Sequence, residues 1–167
     1  MRAHIIAVVA TSWLAAAAPL GDGAPFDIGL AAWGIEGYAK DNPVGKTTGG
    51  QGGSEVSVST PEELFAAVAD NEPRIVYVKG KLTLPKVARI GSNKSIIGKG
   101  WNAEVTQHGL LVANQSNVII RNLKISFTEN GDNLALNNAT RVWIDHNEFQ
   151  SEFGLDIGPD FYVRCVM

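Results

Sequence analysis

Apolar residues along this chain fall into one long block, one helical stripe and a series of short β-branched runs. The block, Ile5 to Ala18, is almost wholly apolar, follows Met1-Arg2 and leaves through Ala15-Ala16-Ala17-Ala18-Pro19. A positive start, a short apolar core and a small-residue exit are the layout of a secretory leader, and the core is too short for a comfortable bilayer span. Residues 1–18 are therefore expected to be a signal peptide, and the mature protein to be secreted, extracellular and free of any membrane partner. The stripe comes next. Thr60-Pro61-Glu62-Glu63 reads as a helix start, with Thr60 as cap, Pro61 in the first turn and Glu63 closing a capping box. Leu64, Ala67 and Val68 give it one apolar face, and Asp70-Asn71-Glu72-Pro73 ends it.

Beyond residue 74 the pattern changes to strands. Ile75-Val76-Tyr77-Val78 is β-branched and aromatic. Ser95-Ile96-Ile97-Gly98, Val118-Ile119-Ile120-Arg121 and Val142-Trp143-Ile144-Asp145 lie over one another, the first step running from 95 to 118 and the second, longer by one, from 118 to 142. Asn114-Gln115-Ser116-Asn117 matches Asn138-Ala139-Thr140-Arg141 in the same register. A repeat of this length made of short strands and Asn turns predicts a solenoid. With no helix between the strands, its form is a parallel β-helix whose coils stack about 4.8 Å apart. Asn114 and Asn138 would then stand one above the other with their amides bonded along the axis. The helix at Pro61 would cover the open end of the stack, where strand groups otherwise lie unpaired.

Composition narrows the function classes. With 45% hydrophobic and 19% charged residues, the 167-residue chain is not a disordered one. Fourteen basic against seventeen acidic residues give a net charge of -3, so there is no basic footprint for nucleic acid. The single cysteine, Cys165, excludes a disulfide framework and a cysteine-ligated zinc. Residues 19–58 are rich in Gly, Pro, Thr and Ser, and read as a loop lying on the domain surface. Gly45-Lys46-Thr47 is not a phosphate-binding loop, because Lys40 stands where the first glycine should be, and neither the strand nor the helix flanks it. Asn93, Asn114 and Asn138 head glycosylation sequons, but the last two fall on the repeat and are read as turn residues.

Three segments together resemble the secreted pectate lyases. They are Glu36-Gly37-Tyr38-Ala39 leading to Thr47-Thr48-Gly49-Gly50-Gln51-Gly52-Gly53; Ser116-Asn117-Val118-Ile119-Ile120-Arg121-Asn122-Leu123; and Gly131-Asp132 followed by Val142-Trp143-Ile144-Asp145-His146. The resemblance runs from about Gly34 to Tyr162. It implies an all-β fold, a right-handed parallel β-helix, and calcium-dependent β-elimination on polygalacturonate, with pectin as the natural source and a monomeric protein. A hard cation with six to eight oxygen ligands suits both carboxylates and a uronate, and it acts as a Lewis acid. Carried over residue by residue, the resemblance makes Asp132 a calcium ligand and Asn130 a weaker one. Glu152 and Asp156, four apart, are a second alignment for the remaining acids. Between Glu129 and Asp160 seven acids face one base, Arg141, which favours a cation site. Asp145 and His146, at a strand end, are adjacent and should point to opposite faces; they are read as a structural pair, buried and hydrogen-bonded.

The resemblance also implies what is missing. Asp160-Phe161-Tyr162 matches the start of a family phrase that continues with Asp, but Val163 follows, and 163–167 reads as an aberrant tail. No arginine here matches the one that removes the C5 proton in that family, so no catalytic residue is assigned. The expectation is residues 59–162 as a partial lyase domain, truncated and inactive alone. Two other readings stay open: a calcium-independent pectin lyase acting on esterified pectin, and a non-catalytic saccharide-binding or elicitor fragment.

Overall fold

The computed structural model describes residues 35, 37–129 and 131–150. The signal segment 1–18 and the tail 163–167 lie outside that range. Among the described residues no helix is long and apolar enough to cross a membrane.

The chain winds as a parallel β-helix of about four coils with three faces. The first face stacks β1 (Ser54–Val58), the start of β2 (Arg74–Thr83), the start of β4 (Lys94–Gln107), β6 (Ser116–Arg121) and β9 (Thr140–Asp145). The second stacks the ends of β2 and β4, then β7 (Lys124–Thr128) and β10 (Glu148–Gln150). The third stacks β3 (Ala88–Arg89), β5 (Leu110–Ala113) and β8 (Leu134–Asn137). Every ladder is parallel. Alternate residues point inward, so Val76, Val78, Ile96, Val118 and Ile120 from one face meet Leu82, Val105 and Ile125 from the second, and Leu110, Val112 and Leu136 from the third. This axial core is why the runs are β-branched and short: each strand buries one side against its own coil and pairs its backbone with the next.

Helix α1 (Pro61–Val68) closes the first coil, as its stripe predicts. Leu64, Ala67 and Val68 are buried in the core cluster. The capping box forms: Thr60 Oγ1 accepts from Glu63 N at 3.3 Å, while Glu63 Oε2 accepts from Ser59 N at 2.7 Å and Thr60 N at 3.2 Å. These backbone donors, Ser59 first, hold the Glu63 carboxyl below its ordinary pKa. At the other end Arg74 Nη1 donates to Ala67 O at 2.6 Å. Lys94 Nζ donates to Asp70 O at 2.7 Å and to Glu72 O. The Arg74 cation on a last-turn carbonyl suits the helix dipole.

The repeat is as expected in kind and corrected in register. The ladder pairs Lys94 with Val118, Ser95 with Ile119 and Ile96 with Ile120, so this step starts at 94 and not at 95. Val118 pairs with Val142, as read from the sequence, and the two steps are therefore equal. Lys94 occupies an inward position, fully buried; its stem runs along the apolar interior and its ammonium reaches the Asp70 and Glu72 carbonyls in the turn that follows α1. Asn138 Nδ2 donates to Asn114 Oδ1 at 2.8 Å, which is the expected stacking. A second such pair, Asn117 Nδ2 to Asn93 Oδ1 at 2.9 Å, runs alongside. All four residues have positive φ, between 49° and 62°, where Asn is the favoured non-glycine residue.

Residues 19–58 are not loop throughout. Ser54–Val58 is a strand, with Val56 and Val58 stacked on Val76 and Val78. Ahead of it, Thr48 and Gly49 lie against the outside of the first face, where Asn117 Oδ1 accepts from Thr48 N at 2.6 Å and from Gly49 N at 2.8 Å. Gly49 has φ +55, and a Cβ there would stand 2.2 Å from Ser95 Oγ.

Candidate functional site

The second face carries the polar chemistry on its outer side. Lys81, Glu104, Lys124 and Glu148 form one register row running from coil to coil. Lys81 Nζ lies 3.3 Å from Glu104 Oε1, and Lys124 Nζ 3.7 Å from Glu148 Oε1. Ser126 Oγ donates to Glu104 Oε1 at 2.5 Å and pairs with the Thr106 hydroxyl at 3.3 Å. The Ser126 hydroxyl, then Lys81 and Lys124, hold the Glu104 carboxyl below its ordinary pKa against the opposing effect of burial. Glu104 is therefore a fixed anion at neutral pH.

Two corners flanking this strip carry added length. Register partners Lys79 and Lys81 are separated by Gly80 alone, but their partners Lys99 and Glu104 are separated by 100–103. At the other edge, positions 108–109 join Gln107 to Leu110, whereas the longer run 129–133 joins their partners Thr128 and Leu134. The second insertion is where Asp132 sits, exposed. Among the described residues its carboxylate has no hydrogen-bond or ion-pair partner. Asn133 shapes the loop: its Oδ1 accepts from Thr128 Oγ1 at 2.6 Å, its Nδ2 donates to Gln150 O at 3.3 Å, and its carbonyl accepts from Leu110 N at 2.9 Å. The loop lies directly against the coil below, where a Cβ on Gly109 would stand 2.0 Å from the Asp132 carbonyl oxygen. Nothing in the composition marks Asn133; its signal is the Asp-Asn pair ahead of an apolar strand.

Asn130, Glu152 and Asp156 lie outside the described residues. Among the described residues no three His, Cys, Asp or Glu side chains come together. Asp132 fits calcium by donor type and by exposure, since a free carboxylate is what that cation takes. One carboxylate is not a complete shell.

Asp145 and His146 touch, and are neither fully buried nor on opposite faces. His146 Nδ1 is 2.7 Å from Asp145 Oδ2, with the two side chains 61% and 24% exposed. The expected alternation fails because His146 has φ +51, which turns the chain out of the strand as it leaves β9. Asp145 also faces the Arg121 of the preceding coil, with Oδ2 3.0 Å from Nε. That N–H does not point along the contact, so Arg121 Nε and Nη1 stay without a hydrogen bond although the side chain is buried. The Arg121 guanidinium lies 5.4 Å from the Trp143 ring centroid.

A parallel β-helix with an exposed carboxylate on an inserted loop at the edge of a polar strip defines the class, a β-solenoid. The family model described as pectate lyase matches residues 28–160, and the chain belongs to that family. Pectate lyase B of Colletotrichum gloeosporioides is 41% identical over 118 residues, covering 70% of this chain and 35% of that protein. A pectate trisaccharide-lyase of Bacillus licheniformis is 35% identical over 145 residues, 80% of this chain and 41% of its own length. Among solved structures, a pectate lyase from Bacillus sp. N165 in complex with trigalacturonate superposes with a TM-score of 0.67 at 33% identity, covering 77% of this chain and 46% of that one. The chain thus spans less than half the length of these relatives.

Proposed function

We propose that this chain is the N-terminal part of a secreted, calcium-dependent pectate lyase that cleaves polygalacturonate by β-elimination. The observation that carries the reading is Asp132: an exposed carboxylate, without a partner among the described residues, on an inserted loop beside the polar strip of the second face, in a chain of the pectate lyase family. Asp132 with Asn130 supplies the first oxygen ligands, with Glu152 and Asp156 as candidates for the others. Bound calcium would withdraw charge from the uronate carboxylate and make the C5 proton easier to remove. The chain's own contribution is positional. Asn133 fixes the loop, and the Lys81–Glu104–Lys124–Glu148 row gives the saccharide a floor of fixed charge. The base that takes the C5 proton is assigned to the length of the relatives that this chain does not span.

The test is a lyase assay on polygalacturonate that follows ultraviolet-absorbing unsaturated products, with calcium and with chelator. The 167-residue chain is expected to give no product. A chimera continuing residues 1–150 with the later coils of the Bacillus licheniformis relative is expected to give calcium-dependent product, and Asp132→Asn in it to lower the rate at least tenfold. Chelator-insensitive cleavage, or a preference for esterified pectin, would overturn the calcium reading in favour of a pectin lyase.

A further inference from the structure

The insertion at the other edge of the strip, residues 100–103, has no role in the reading above. It lengthens that corner relative to the coil before it, where Gly80 alone makes the turn. Gly100, at φ +84, turns the chain outward, and Ala103, 2% exposed, brings it back into the core. Trp101 is carried at the tip and is 77% exposed, the largest exposure of any big hydrophobic side chain among the described residues. A rigid indole held outward on a backbone anchored at both ends loses little entropy on meeting a flat apolar surface.

Its surroundings are cationic. Lys79 and Lys99 are direct register partners on neighbouring coils, both exposed. The coil spacing of about 4.8 Å places two like charges side by side, which is unfavourable by itself. Among the described residues neither has a carboxylate partner. The Lys99 ammonium rests over the Tyr77 ring, 5.7 Å from its centroid, so the aromatic face and not an acid holds it. Lys81 adds a third charge, shared with Glu104. In a protein of net charge -3 this is a local reversal of sign.

We propose that Trp101, Lys79 and Lys99 form a second, calcium-independent holding surface for a polyuronate chain, across the polar strip from Asp132. The indole stacks on the apolar face of a sugar ring, while the paired lysines take successive carboxylates and are relieved of their mutual repulsion. The proposal rests on polygalacturonate as the substrate class. It adds a place where an unesterified run is gripped away from the metal ligands, and so a preference for long, charged substrate.

Titration of the 167-residue chain with low-ester polygalacturonate in excess chelator, read by affinity electrophoresis and tryptophan fluorescence, tests it. Wild-type chain is expected to bind, binding to weaken with added salt, and fully esterified pectin to bind at least tenfold less well. Trp101→Ala and the double change Lys79→Gln with Lys99→Gln are each expected to weaken binding at least tenfold. Circular dichroism establishes that these surface variants stay folded, and Lys79→Arg with Lys99→Arg should restore binding. Binding within twofold of wild type in both variants, or no binding by wild type, overturns the proposal. Because chelator silences any calcium site, lyase activity in the chimera reports on the reaction separately. An active chimera whose N-terminal chain does not bind in chelator sinks this surface alone, and calcium-free binding with an inactive chimera sinks the reaction alone.

Discussion

β6 and β9 are nearly the same strand written twice, one coil apart, and they are buried to very different depths. Val118 and Ile120 of β6 are fully buried, while their register partners Val142 and Ile144 in β9 are only half-buried although they pack on the same core. The difference is one of neighbours. β6 is paired on both sides, by β4 and β9, whereas among the described residues β9 is paired by β6 alone. A residue in a solenoid therefore owes its burial to the coils above and below it as much as to its own type. The helix-side end shows the contrast: α1 seals it, and Lys94 and Arg74 satisfy the carbonyls where the helix stops.

The comparison can be broken most forcefully at its centre. Ile120→Ala is expected to cost about 2–5 kcal/mol, the range for a large-to-small change in a packed core, and Ile144→Ala less than half as much as its partner. Equal losses in denaturant unfolding would mean that neighbour stacking does not set the depth of burial. Next comes the clamp on the first face. Asn117→Ala strands the amides of Thr48 and Gly49 and is expected to cost about 1–3 kcal/mol, with faster proteolytic nicking near Gly49-Gly50. Thr60→Ala removes one side of the capping box and is expected to cost about 0.5–2 kcal/mol, read as an earlier urea midpoint.

Acid sharpens the contrast between the ends. Asp70 is held well below its ordinary pKa by hydrogen bonds from Arg74, then from Lys94, and Glu63 and Glu104 are also depressed. A depressed folded pKa means stability that is fully present above the ordinary carboxylate pKa of about 4 and is lost as pH falls through the folded value. The helix end should thus loosen on acidification below about pH 4, and Asp70→Asn should flatten that limb of the curve. An unchanged acid limb would show that the Arg74–Asp70–Lys94 cluster does not couple to unfolding. The smallest effect is expected at Asp132. Asp132→Asn should leave stability within about 0.5 kcal/mol, as for an exposed residue outside any network, while removing calcium-induced thermal stabilisation in the chimera.

The first-face strands from β2 onward, the capped helix and the Asn114–Asn138 stack were legible because each has a local signature: β-branched runs, a box motif, an amide at a fixed interval. Lys94 hid the register because a charged residue at an inward position looks like the end of an apolar run. The Asp70 carboxylate and the carbonyls of Asp70 and Glu72, about a full coil earlier in the chain, make it tolerable there. β1 hid for the opposite reason: Ser54-Glu55-Val56-Ser57-Val58 is half polar and follows a glycine cluster, and its apolar side acquires meaning only from Val76 and Val78 beneath it. At the candidate site, Asp132 could be found by resemblance, but its loop could not. That loop is an insertion relative to the coil below, and insertions are visible only once the coils are superposed.

The equal offset between the later coils on the first and third faces has a consequence for how such a chain can change over generations. Lys94 to Val118, Asn93 to Asn117, Leu110 to Leu134 and Ser116 to Thr140 all keep the same interval. Duplication or loss of one such block returns every side chain to the face it left, with its amide pairs rejoined to new partners. A gain or loss of one residue inside a strand swaps inside for outside along the rest of that strand. The corners at residues 100–103 and 129–133 are the exceptions: the first shortens the interval to the next coil across the second face, and the second restores it by the third. Lengthening a protein of this kind is thus arithmetic in whole turns, while novelty is free to accumulate at the bends.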